Sequence, residues 1–104
     1  MRNEEAILRL ARDNNDETAL MAIAENNLNT LEAAIKRYFG GRVTQKKALI
    51  TLLVRISWHA KYFIGDHDDA EEWMAVNADL ECRRLHSEVR GAAASVGRTA
   101  HAVN

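Results

Sequence analysis

Apolar positions along this chain recur at helical rather than strand spacing. Alternating apolar/polar runs long enough for strands are missing, and the residue set (Ala, Leu, Glu, Arg, Lys) favours helix. There is no proline, the commonest helix breaker, and the five glycines (Gly40, Gly41, Gly65, Gly91 and Gly97) read as punctuation at helix ends. The pattern predicts an all-α fold, a compact bundle of three long helices plus a short N-terminal one.

The short helix is predicted over residues 3–14, with Ile7, Leu8, Leu10 and Ala11 apolar. Asn14-Asn15-Asp16 is a turn in which Asn15 or Asp16 caps a long helix over 17–39. Leu20, Ile23, Leu28, Leu31, Ile35 and Tyr38 form its inward stripe, Gly40-Gly41 stops it, and the Asn26-Asn27-Leu28-Asn29 patch weakens its middle. The strongest periodicity lies in 45–64, where Leu49, Leu52, Leu53, Ile56, Ala60 and Phe63 share one face, Thr44 is the cap and Gly65 the end. The last helix opens on a capping box, Asp69 as N-cap with Glu72 at the third helical position. It continues through Trp73, Val76, Leu80, Leu85 and Val89 to Gly91. Residues 92–104 lack large apolar anchors and are expected to form a flexible tail after a folded unit of 1–91.

Composition narrows the setting. A length of 104 residues with 47% apolar content fits one domain with a real core. A single cysteine excludes an internal disulfide and fits a reducing compartment. No apolar run approaches the roughly 20 residues of a membrane helix. Met1-Arg2-Asn3-Glu4-Glu5 places acids where a signal peptide needs a basic start. The expected location is cytoplasmic, without membrane contact.

The net charge of −1 conceals segregation. Residues 42–65 carry five bases (Arg42, Lys46, Lys47, Arg55, Lys61) and no acid, whereas 66–81 carry seven acids and no Lys or Arg. Such blocks either steer partners or neutralise one another within the fold.

The chemistry of catalysis is missing from the string. No nucleophile–base constellation, phosphate loop or nucleotide fingerprint appears. A calcium loop beginning at Asp66 would need Gly at 71 and Glu at 77, where the chain has Glu71 and Asn77. Cys82 and His86 stand at i, i+4, but two ligands do not make a structural zinc site. Neither an enzyme nor a metal or other cofactor is expected. All six aromatics lie between Tyr38 and Trp73, and Trp58, Tyr62, Phe63 and Trp73 bracket the acidic turn 65–72. That arrangement suits either a nucleic-acid grip or an ordinary helix–turn–helix core.

Several stretches, in order, resemble the core-binding region (region two) of bacterial RNA polymerase sigma factors of the extracytoplasmic-function type. They are 8–20 (Leu8-Arg9-Leu10-Ala11-Arg12 through Ala19-Leu20), Tyr38-Phe39-Gly40-Gly41-Arg42, Leu53-Val54-Arg55-Ile56-Ser57-Trp58-His59-Ala60, Glu72-Trp73-Met74 and 78–85. The resemblance spans roughly residues 5–90. It implies a sigma-like helical domain acting in transcription initiation or its regulation, with core RNA polymerase and promoter −10 DNA as partners. By the same likeness, Trp73 and the turn containing His67 would stand at the strand-separating region, and Arg83 and Arg84 would approach DNA. The chain departs from the family in three places. The clamp-binding helix that is acidic in the family opens here with Gln45-Lys46-Lys47, the strand-separating turn is acidic, and the small-residue stretch after Gly91 is not expected to form the family's second DNA-reading domain. A protein-interaction module that kept the fold without promoter recognition, pairing with itself or with an anti-sigma-like protein, is the alternative.

The candidate residues each have a plainer reading. Trp73, one turn into a capped helix, also suits a core anchor, and Arg83 and Arg84 favour a helix C-terminus in any case. Trp58 and Tyr62, at i, i+4 on the edge of the apolar stripe, are the candidates for a partner surface. Lys46 and Lys47 join them because cations in a first helical turn run against the dipole. Arg55 completes the partner-binding candidates.

Overall fold

The computed structural model describes residues 1–40, 45–65 and 69–103, and these fold as five α-helices. They are α1 (Asn3–Arg12), α2 (Glu17–Asn26), α3 (Leu28–Phe39), α4 (Gln45–His59) and α5 (Ala70–Val103), with a 3-10 turn at Ala60–Tyr62 after α4. Gly41, Thr44 and His67, assigned above to a helix stop, a cap and a DNA contact, lie outside the described residues.

Local chemistry sets the boundaries. Asp16 caps α2 by accepting from the Ala19 N–H at 3.1 Å, and Arg9 from α1 grips the same carboxylate through Nε at 2.8 Å and Nη2 at 3.2 Å. Asp69 caps α5 by accepting from the Glu71 and Glu72 N–H groups at 2.9 and 3.3 Å. Gly40 ends α3 at φ 60° and ψ −130°, its N–H donating to the Lys36 carbonyl at 3.0 Å.

The helix expected over 17–39 is two helices, α2 and α3, parted at Asn27 (φ −124°, ψ 20°). Asn27 is buried and exchanges two amide hydrogen bonds of 2.9 Å with buried Asn3, while its Nδ2 also reaches the Ile23 carbonyl. Asn3 further donates to Glu71 Oε1 at 2.8 Å. One amide pair thus ties the start of α1, the α2–α3 corner and the first turn of α5. Turning the chain at Asn27 changes the phase of the stripe, so Leu28 is exposed rather than inward.

The core draws on every helix: Ile7 and Leu10, Ile23, Leu31 and Ile35, Leu52 and Ile56, and Met74, with Phe39 and Phe63 closing its ends. The inward face of α5 differs from the expected stripe. Val76 and Val89 are exposed, and the buried positions are Met74, Asn77, Ala78, Glu81 and Cys82. Small residues at 78 and 82 let α3 and α4 approach α5 closely, leaving the larger aliphatics at its edges. The helix also runs past Gly91, where α5 was expected to close. Gly91 has no positive φ, and the alanine-rich stretch after it favours helix.

Candidate protein-docking face

Helix α4 shows two unlike faces. Ala48, Leu52 and Ile56 face the core, with Ala60 following in the turn. On the opposite side Ile50, Val54, Trp58 and Tyr62 are 54%, 40%, 55% and 67% exposed. Their i, i+4 spacing makes a single ridge running from α4 into the 3-10 turn. Trp58 and Tyr62 are thus on the surface, and Ile50 and Val54, which the Leu-based stripe passed over, extend their line. The missed signal was available, because both valine and isoleucine stand at multiples of four from Trp58.

Lys46 and Lys47 are exposed at the start of the ridge and Lys61 at its end, with the Lys61 Nζ 5.2 Å from the Tyr62 ring centroid. Arg55 behaves differently. It leaves the ridge side and reaches across to α5, where its guanidinium meets Glu88 in a two-pronged ion pair (Nη1–Oε1 3.2 Å, Nη2–Oε2 2.5 Å) and stands 3.6 Å from Glu81. The hydrogen bonds from Arg55 hold the Glu88 carboxyl below its ordinary range and raise the guanidinium correspondingly. Glu81 itself is only 3% exposed and receives His59 Nε2 at 2.5 Å and Arg84 Nη1 at 3.1 Å. One buried side chain therefore fastens α5 to α4 through Arg55 and His59, with Arg84 of α5 itself as a third contact. Sequence spacing alone gave no sign of it, since Arg55 and His59 lie more than twenty positions away.

Beside the ridge, Phe39, Lys47, Ala48, Thr51, Leu85 and Val89 line a mainly apolar cleft of about 150 Å³ between α4 and α5.

The residues assigned to DNA are distributed differently. Trp73 is half-buried, packed edge-to-face on Phe63 with ring centroids 5.6 Å apart, and occupies the core-anchor position. Arg83 and Arg84 are exposed, but Arg84 is engaged with Glu81. Arg37 and Tyr38 of α3 share Asp79, with the Tyr38 hydroxyl donating at 3.0 Å. Burial, and then this bond, push the phenol pKa up.

Cys82 and His86 acquire no third ligand among the described residues. Cys82 is fully buried, and burial, reinforced by Asp79, pushes its thiol up to about 11, so it stays protonated at neutral pH. His86 packs its ring against Phe39 and Tyr38. Among the described residues no group of three or more His, Cys, Asp and Glu is placed to hold a metal ion, and no helix is long and apolar enough to cross a membrane. No protein family, curated protein or solved structure matches the chain, so the sigma-like pattern rests on the sequence residues alone.

Proposed function

We propose that this chain is a non-enzymatic helical docking module that binds another protein through the outer face of α4. Its setting is bacterial transcription or its regulation, as the sigma-like sequence pattern implies, and the cytoplasm is where it works. The observation that carries this reading is the ridge of Ile50, Val54, Trp58 and Tyr62, exposed on a helix without a single acid. Isolated exposed apolar residues are ordinary, but a contiguous line including Trp and Tyr has the composition of an interface centre.

Capture of purified core RNA polymerase, an anti-sigma-like protein or a second copy by the tagged chain tests the reading. Loss of capture in the Trp58→Ser/Tyr62→Ser variant is the expected result. Equal capture by that variant removes the ridge from the mechanism, and failure to retain polymerase removes the transcription setting in its direct form.

Promoter recognition is the second reading, favoured by Arg83 and Arg90, exposed on the stretch of α5 beyond the acidic turn. It predicts salt-dependent binding of a −10-like single strand, weakened by Arg83→Ala. Absence of binding at low salt eliminates it.

A further inference from the structure

We infer that the occupant of the α4 face is an acidic amphipathic helix of another protein, anchored by one large apolar side chain in the α4–α5 cleft. This inference rests on the docking reading above and names the partner's chemistry.

Three observations carry it. Within α4 the ridge steps one helical turn from Ile50 to Val54 to Trp58 before Tyr62 continues it in the 3-10 turn, which matches the i, i+3, i+4 anchors of a helix laid along it better than an extended strand. Lys46 stands four positions before Ile50, with Lys47 beside it, and Lys61 three after Trp58, so a lysine flanks the apolar line at each end. Glu88, on α5 one position before Val89 of the cleft lining, is neutralised by the two-pronged contact from Arg55. The surface therefore offers apolar contact framed by positive charge, and its complement is an apolar stripe framed by carboxylates.

The same charges weigh against a second copy. Two α4 ridges laid antiparallel bring Lys46 and Lys47 of one chain over Lys61 of the other, and laid parallel they place like lysines together. Both arrangements repel. The cleft adds an anchor site: it is bounded by Phe39, Leu85 and Val89, has room for one Leu- or Phe-sized side chain, and carries Lys47 at its lining to meet a neighbouring carboxylate.

The test uses labelled helical peptides of about 20 residues, long enough to populate helix. One carries Leu and Phe at i, i+3, i+4 positions with Glu at the flanks. A second has the same apolar residues with Lys at the flanks. Fluorescence anisotropy at low and physiological salt should show the Glu peptide binding at least about tenfold more tightly. The Lys47→Glu/Lys61→Glu variant should reverse that order, and replacing the anchoring Phe of the peptide by Ala should weaken binding by about tenfold. Circular dichroism of each variant verifies the fold. Equal binding of both peptides, still lost with Trp58→Ser, overturns the acidic partner and leaves the docking face standing. Binding of neither peptide overturns both. A concentration-dependent dimer in light scattering that is lost with Trp58→Ser replaces the foreign helix by a second copy.

Discussion

Gly40 occupies φ 60° and ψ −130°, a backbone region open to glycine and costly to any residue with a Cβ. Open space surrounds the position of an added Cβ, so the penalty for Gly40→Ala is conformational rather than a clash. Chemical denaturation should show a loss of about 1–3 kcal/mol, with the helical signal at native conditions unchanged. Asp16 gives a second residue-scale expectation. The Ala19 N–H, and then Arg9, hold its carboxyl below the ordinary value. A depressed folded-state pKa contributes stability above the unfolded pKa of about 3.9, and that contribution is lost as pH falls through the lower folded value. Asp16→Asn should therefore lower the melting temperature at pH 7 more than at pH 2–3, the two titrations converging in acid. A constant offset between wild type and variant across that range counts against the cap as the origin.

Between helices, Glu81 ties α5 to α4 through Arg55 and His59. Glu81→Ala leaves Arg55 paired only with Glu88 and Arg84 open to solvent, so the loss of its hydrogen bonds should cost about 1–2 kcal/mol in denaturant unfolding. Glu81→Gln keeps the side-chain volume and an acceptor oxygen and should cost less; an equal loss would assign the effect to the lost charge rather than to packing. This element scale is also where sequence and structure part company. The α4 core stripe, the Asp69 cap and the Gly40 stop were legible because each depends on neighbours within a few positions. The α2–α3 corner was only hinted at by the asparagine patch, since Asn27 turns the chain with Asn3, 24 positions away, as its partner. In α5 the aliphatic pattern misled, because close packing selected Ala78 and Cys82 for the buried face and a paired Glu81 beside them. Trp58 and Tyr62 were readable as half of the exposed ridge, but a stripe built on leucines hid Ile50 and Val54.

At the scale of the molecule, fold and proposed function use opposite sides of one helix. The inward residues of α4 belong to the common core, while the ridge contributes little to it. Ile56→Ala should cost about 2–5 kcal/mol and depress binding only by unfolding the module. Trp58→Ser/Tyr62→Ser removes exposed side chains whose one ring contact of note is Lys61 over Tyr62, so its stability change should stay under about 1 kcal/mol. The same double variant should abolish partner capture, because truncating aromatic anchors at an interface centre commonly costs 2 kcal/mol or more apiece, roughly a thirtyfold loss each. Measuring urea midpoints and partner affinity on one set of samples separates these outcomes. Parallel loss of stability and binding in the double variant would place the ridge in the fold rather than at an interface. Unchanged unfolding with binding lost would mean that this apolar surface is kept for contact with another chain.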